Sequence, residues 1–218
     1  MTQDVYEDLL ETIGRTPMVR LRRVVQGPHK FYAKLEAFNP GQNIKDRAAL
    51  SIIEGAERRG ELKPGATIIE ATSGNTGLGL AMIAAVRGYQ TILVMPDKVS
   101  EEKRAILRAY GARVVVCPTA VEPEDPRSYY CVSRKLVEIT PNSFYANQYF
   151  NEDNLLAHYD VTGPEIQQQM GDDLYAIVAG VGTGGTMSGI GRYYKEHQPD
   201  VQIVGVDPVG SILYDLFH

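Results

Sequence analysis

The sequence predicts an α/β protein built on parallel sheets. Strand-length apolar runs alternate with stretches of helical periodicity over most of the chain, the pattern of strand–helix–strand units. The strand runs, such as "QTILVMP" and "LYAIVAGV", are apolar almost throughout, as expected when helices cover both faces of a sheet. Capping residues punctuate the helical stretches at the expected places.

In chain order, "KFYAKLEA" (30–37) reads as a strand. "DRAALSIIEGAERRG" (46–60) spaces its apolar residues for a helix and ends on Gly60, a stop signal. "ATIIEA" (66–71) is a strand, and a helix runs from Gly77 to Arg87 and stops at Gly88. "QTILVMP" (90–96) is a strand closed by Pro96. "SEEKRAILRAYG" (100–111) opens with an N-cap serine and two acids at the positive end of the helix dipole. "ARVVVC" (112–117) is a strand, and "DPRSYYCVSRKLVEI" (125–139) is a helix with proline near its start. "VTGPEIQQQM" is a helix, "LYAIVAGV" a strand, "TMSGIGRYYKEH" a helix and "VQIVGVD" a strand. The acidic, proline-rich "PTAVEPEDPRS" is a surface loop. The last residues, "GSILYDLFH", follow a strand with no closing helix, which would leave a sheet edge uncovered. The sequence is therefore expected to be part of a longer chain.

The 218 residues carry 44% hydrophobic and 22% charged side chains and a net charge of −5. Lysine and arginine are scattered, not gathered into a basic stripe, so no nucleic-acid partner is expected. No apolar run approaches the roughly 18 residues of a membrane span. The opening "MTQDVYEDLL" is acidic and has no apolar signal core, so the expected setting is cytoplasmic. Cys117 and Cys131 have no metal-ligand spacing and are read as half-buried small hydrophobes, with no disulfide and no metal.

Three motifs carry chemistry. "ATSGNTGLGL" (71–80) sits where a strand hands over to a helix, at the carboxyl end where parallel sheets bind ligands. Thr72, Ser73, Asn75 and Thr76 cluster at a positive helix end, which suits a carboxylate. The bland alternative is a helix cap, for which one such residue would suffice. "GVGTGGTMSG" (180–189) also joins a strand to a helix. Gly182, Gly184 and Gly185 free the backbone to curl its N–H groups around an anion, and Thr183 and Thr186 add hydroxyls. The rival is a dinucleotide site, with Asp207 as the ribose-binding acid, but the spacing is not G-x-G-x-x-G. In "NPGQNIKDRAAL" (39–50), Lys45 stands at a helix start, where the positive end favours its neutral amine. Its bland alternative is a surface lysine paired with Asp46. Taken together, an imine-forming lysine, a phosphate cup and a carboxylate loop fit pyridoxal phosphate with an amino-acid substrate.

"NPGQNIKDR", "TSGNTG" and "GTGGT", in this order and spacing, resemble the β-family of pyridoxal-phosphate enzymes, which includes cysteine synthase and cystathionine β-synthase. "DPRSYY", "NQYFNEDNLLAHYDVTGPEI" and "GVDPVGSIL" look closer to the cystathionine β-synthase branch. The resemblance implies two three-layer parallel-sheet domains of the tryptophan-synthase-β-like, fold type II kind, with the C-terminal part missing. The larger, cofactor-binding domain would take 1–40 plus 146–218, and the smaller, mobile, substrate-binding domain 41–145. Lys45 would hold the cofactor and then act as the base for the substrate α-proton. Asn75 would contact the cofactor ring hydroxyl. Thr72, Ser73, Asn75, Thr76 and Gln148 would cradle the substrate carboxylate. Gly182, Thr183, Gly184, Gly185 and Thr186 would bind the phosphate.

The implied reaction, of the lyase and transferase kind, replaces the β-substituent of serine, or an activated serine, by a thiol. Homocysteine would give cystathionine, and the homodimeric enzyme would serve transsulfuration and cysteine biosynthesis. Alternatives are an O-acetylserine-using cysteine synthase, a non-catalytic protein keeping the fold, and a nicotinamide dehydrogenase, which leaves Lys45 and "TSGNTG" unexplained. Gln42 and Asn43 depart from the family's usual Gly-Gly-Ser or Gly-Ser turn, which would narrow substrate choice or rate. The segment with a pyridine-nitrogen ligand is absent, and haem is not expected. His158, Arg47, Asp207, Tyr129 and Tyr130 are read as structural, "SEEKR" as a solvated helix start, and His29, His197 and His218 as solvent-facing.

Overall fold

A computed structural model describes residues 5–25 and 27–211; the stretch "ILYDLFH", with His218, lies outside the described residues. The chain divides into two compact units, Met1–Asn151 and Glu152–His218. The sequence expectation divided it differently, as 1–40 plus 146–218 against 41–145.

The first unit opens with an antiparallel pair, β1 (Met18–Leu21) and β2 (Phe31–Lys34). Then come α1 (Lys45–Arg59), β3 (Thr67–Ala71), α2 (Asn75–Arg87), β4 (Gln90–Pro96), α3 (Glu101–Ala109), β5 (Arg113–Cys117), α4 (Tyr129–Ile139) and β6 (Ser143–Tyr145). β3 to β6 form one parallel sheet in the order β5-β4-β3-β6. Glycines end the first two helices as the sequence indicates. Gly60 and Gly88 sit at φ +72° and +76°, conformations open to glycine, and their N–H groups bond back to the last carbonyls. Ser100 and Ser128 accept hydrogen bonds from the N–H of Lys103 and Cys131, so α4 starts after Ser128 and leaves Pro126 in the preceding turn.

Adjacent residues of β3 show that both faces of the sheet are covered. Ile68 and Ile69 point to opposite faces, and both are fully buried. Ile68 packs with Ile52 and Ile53 of α1, Leu80 and Ile83 of α2 and Phe144 of β6. Ile69 pairs in register with Tyr145, whose hydroxyl lies 3.4 Å from Ser133 Oγ on α4. Each such buried isoleucine or leucine contributes about 1.5–3 kcal/mol. β6 was not expected from the sequence: three residues with a leading serine are too few for a periodicity signal.

The second unit holds α5 (Glu152–Ala157), a π-helical turn over His158–Thr162, α6 (Gly163–Met170), β7 (Ala176–Gly180), α7 (Gly185–His197) and β8 (Gln202–Val206). β7 and β8 pair in parallel, with α7 as the crossover. The π-turn continues α5, and the Gly163 N–H donates to the His158 carbonyl. This turn has no mark in the sequence, because five residues are too few for side-chain periodicity to tell an i→i+5 from an i→i+4 hydrogen-bond register. Among the described residues, no helix is long and apolar enough to cross a membrane. Cys117 is buried and Cys131 half-buried, both as free thiols.

Candidate active site

In the first unit, the turn Asn39–Asn43 sets the position of Lys45. Gln42 takes φ +60°, unusual for a residue with a side chain, and its N–H donates to the Asn39 carbonyl at 2.7 Å. Asn43 serves the turn twice: Nδ2 donates to the Gly41 carbonyl at 2.6 Å, and Oδ1 accepts from the Lys45 backbone N–H at 2.8 Å. Asp46 folds back to accept from the Gly41 N–H at 2.6 Å, and a Cβ on residue 41 would collide with its carboxylate. Burial pushes the Asp46 carboxyl up to about 6 against these hydrogen bonds, and the Glu36 charge adds to the rise. Burial also lowers the Lys45 ammonium from its ordinary value, which favours a neutral amine.

Behind the turn lies a buried ionic network. Arg47 donates to Glu36 through Nε at 2.7 Å and Nη2 at 2.9 Å, and to Thr16 Oγ1 at 3.2 Å. Thr16 Oγ1 and Asn39 Nδ2 donate to the same carboxylate at 2.7 and 2.8 Å. Burial alone would raise Glu36, but Arg47 and these donors hold it below the usual range.

The second element is the loop between β3 and α2. No side chain caps α2, whose N-cap is Gly74. Thr72 Oγ1 accepts from the Gly74 N–H at 3.2 Å, and its methyl fills the space a Cβ at Gly77 would need. Gly79 brings α2 against α1: a Cβ there would lie 2.9 Å from Ala49 Cβ and 3.4 Å from the Lys45 carbonyl. Thr76 Oγ1 donates to Gln148 Oε1 at 2.5 Å, and the Gln148 N–H donates to Glu70 Oε1 at 3.4 Å. Burial lifts the Glu70 carboxyl to about 7, against hydrogen bonds from the 147–148 segment.

Turn and loop meet at a cavity of about 260 Å³. Gly41 and Gln42 line one side, Ser73, Gly74 and Asn75 another, and Met95, Val99, Ile106 and Leu107 an apolar wall. Lys103 stands at that wall while remaining exposed, on the solvated helix start "SEEKR". Its i, i+3, i+4 spacing with Ile106 and Leu107 is the signal that could have found it. Of the substrate residues expected from the sequence, Ser73 and Asn75 are exposed on this cavity. Thr72, Thr76 and Gln148 are buried and brace the loop through the bonds above.

In the second unit, Gly182 to Thr186 form the turn from β7 into α7. Gly184, the N-cap of α7, takes φ +86°, and no side chain caps the helix. A buried row of polar side chains stands behind this turn. Asn154 Nδ2 donates to Thr183 Oγ1 at 3.0 Å, and His158 Nε2 lies 3.1 Å from Thr186 Oγ1. His158 Nδ1 lies 3.0 Å from Thr162 Oγ1. The turn offers an anion uncapped helix N–H groups and open space at Gly182.

Each unit, taken by itself, offers a feature that suits pyridoxal phosphate: the first a desolvated lysine amine, which suits an aldehyde, and the second a glycine-lined helix N-terminus, which suits a phosphate. Comparison with known proteins gives the same answer. The model of the family "Pyridoxal-phosphate dependent enzyme" matches residues 9–218. A cystathionine beta-synthase of Apis mellifera is 49% identical over 212 residues, covering 96% of this chain and 42% of the relative. A cysteine synthase of a Flavobacterium species is 43% identical, covering 93% of this chain and 65% of the relative. The crystal structure of O-ureido-L-serine synthase superposes with a TM-score of 0.91 at 40% identity, over 96% of this chain and 66% of that one. The chain thus spans about two fifths of the length of the cystathionine beta-synthases it matches and about two thirds of the shorter relatives. Its architecture is that of the fold type II enzymes, and the chain belongs to the pyridoxal-phosphate-dependent enzyme family.

Proposed function

We propose that the protein replaces the β-substituent of serine, or of an activated serine, by a thiol, with homocysteine as the thiol and cystathionine as the product. One observation carries the reading: the turn ahead of Lys45 and the uncapped N-terminus of α2 line the same small cavity. A carboxylate at Ser73–Asn75 meets helix N–H groups and small donors, as an amino-acid substrate requires. Pyridoxal phosphate, when bound, supplies an electron sink for the carbanion formed at the substrate Cα. Lys45 would hold the cofactor through its aldehyde, and its Nζ would take the substrate α-proton, a role that needs the neutral amine its burial favours. Asn75 would contact the cofactor's ring hydroxyl, and Gly182, Thr183, Gly184, Gly185 and Thr186 would hold its phosphate. Thr72, Thr76 and Gln148 keep the carboxylate loop in shape.

The sequence-based domains belong to this reading. The span 41–145 contains every strand of the four-stranded sheet, which supports it as the mobile substrate domain. Homodimeric assembly and a cytoplasmic setting are part of the same proposal and rest on the family resemblance.

The test is reconstitution of the full chain with pyridoxal phosphate. Wild type is expected to take up the cofactor with a visible absorbance band that shifts on adding serine, and Lys45→Ala to lose the band. Turnover of serine with homocysteine supports the reading. Turnover only of O-acetylserine with sulfide replaces it by the cysteine synthase reading, and a colourless wild type ends it.

A further inference from the structure

We infer that His158 is a positioning residue for the phosphate cup: its buried ring orients the Thr186 hydroxyl toward the anion, in step with Asn154 behind Thr183. The inference rests on the pyridoxal-phosphate reading of the cup and deepens it.

The geometry is repeated along one helix face. Asn154 and His158 are four residues apart, so α5 and the π-turn present them on one face. Gly185 and Gly189 are likewise four apart on α7. A Cβ on Gly185 would lie 2.5 Å from Asn154 Oδ1, and one on Gly189 would lie 2.7 Å from His158 Cβ and collide with the Leu155 carbonyl. The two glycines thus let the helices close until both polar side chains reach the threonines. Both are buried, His158 completely.

Hydrogen-bond direction follows from the donors. The Asn154 amide donates to Thr183 Oγ1, a bond that does not use the Thr183 proton. The same outcome at Thr186 requires His158 to carry its proton on Nε2 and donate to Thr186 Oγ1. Nδ1 then accepts from the Thr162 hydroxyl, which lies 3.0 Å away. The chain runs Thr162 O–H to Nδ1, then Nε2–H to Thr186, then Thr186 O–H to the anion. Each donor polarises the next, and the last one meets a charged acceptor, the strongest kind of hydrogen bond. A neutral ring in the opposite tautomer would accept the Thr186 proton and present only oxygen lone pairs to a phosphate.

The test compares pyridoxal phosphate with pyridoxal, which offers the same aldehyde without the phosphate. Binding of each to the apo form of the full chain is titrated by absorbance, and the dissociation constant of pyridoxal divided by that of pyridoxal phosphate isolates the cup. Asparagine reproduces the Nδ1 side of histidine and glutamine the Nε2 side. His158→Asn is expected to lower the ratio roughly tenfold or more, the effect of a hydrogen bond to a charged group. His158→Gln should stay within about threefold of wild type. Thr162→Val keeps the side-chain volume and removes the donor to Nδ1; it should lower the ratio in the same direction, and it serves if the histidine variants do not fold. An unchanged ratio in His158→Asn or, failing that variant, in Thr162→Val overturns the inference. Equal weakening of both ligands also overturns it, since that marks a residue that only supports the fold. Wild type that binds neither aldehyde overturns the cofactor reading itself, a result distinct from a wild type that binds both and variants that leave the ratio untouched.

Discussion

Glu70→Gln should stabilise the protein at alkaline pH and leave it nearly unchanged at acid pH. Glu70 lies on β3 at 1% exposure, and no hydrogen bond reaches its Oε2 among the described residues. Burial lifts its carboxyl from 4.5 to about 7. A raised carboxyl means that the folded state holds its proton more tightly than the unfolded one. Its contribution is therefore most favourable below about pH 4.5 and is lost as pH rises through about 7. A rise of about 2.5 units at about 1.36 kcal/mol each makes the loss about 3 kcal/mol. Glutamine cannot ionise, yet its Oε1 can still accept from the Gln148 N–H. Its amide N–H groups gain no evident partner, which offsets about 1 kcal/mol of the relief. The net gain at pH 8.5 is then about 2 kcal/mol.

Urea unfolding followed by far-ultraviolet circular dichroism at pH 5 and pH 8.5 measures it. Asp46, raised to about 6 by burial, titrates in the same sense, but it is present in both proteins and cancels in the difference. A wild type and a variant that keep the same stability gap at both pH values would refute the reasoning. So would a variant less stable than wild type at pH 8.5.

Two other changes test the turn that carries Lys45. Arg47→Met leaves the half-buried Glu36 carboxylate without this cation, and urea unfolding at pH 7.5 should show a loss of about 3 kcal/mol, the low end for a broken buried pair. The loss should shrink at low pH, where Glu36 takes up a proton and no longer needs the partner. Gln42→Gly relieves a left-handed backbone worth about 1–2 kcal/mol but frees the unfolded chain by about 0.4–1 kcal/mol, so thermal melts should rise for a net gain of about 0.5–1 kcal/mol.

The fold was legible because its long elements obey one period each. β4 was bounded to the residue by an apolar run that ends on Pro96, and α1 and α2 were closed by Gly60 and Gly88, whose positive φ the structure shows. Among the elements that escaped, besides the short β1 and α5, are those whose identity is tertiary. β6 is three residues that become a strand only by pairing with Thr67–Ile69. "KFYAKLEA" has the pattern of one strand, but β2 ends at Lys34 and a 3₁₀ turn takes Glu36–Phe38. That turn brings Glu36 to Arg47, a long-range pairing that strand propensity cannot express.

The candidate site divides along the same line. The residues proposed to meet a ligand stand in turns that left marks in the sequence: glycines at the turn into α7, small polar residues at the start of α2, a lysine after a proline-glycine turn. Residues that act through another side chain left marks only in pairs, on segments about thirty positions apart. Asn154 and His158 are one such pair, and Gly185 and Gly189 the other. Read singly, a histidine inside "LLAHYD" is a buried polar side chain and a glycine inside "TMSGIG" is a weak spot in a helix. Only the packing of α5 on α7 shows that the glycines make room for the polar groups and that these aim at Thr183 and Thr186. A helix that gives up side chains at two positions on one face sacrifices about 1 kcal/mol at each relative to alanine. That expenditure is intelligible if the close approach serves the two hydroxyls, because alanine at either position would favour the helix and push the supporting side chains away from them.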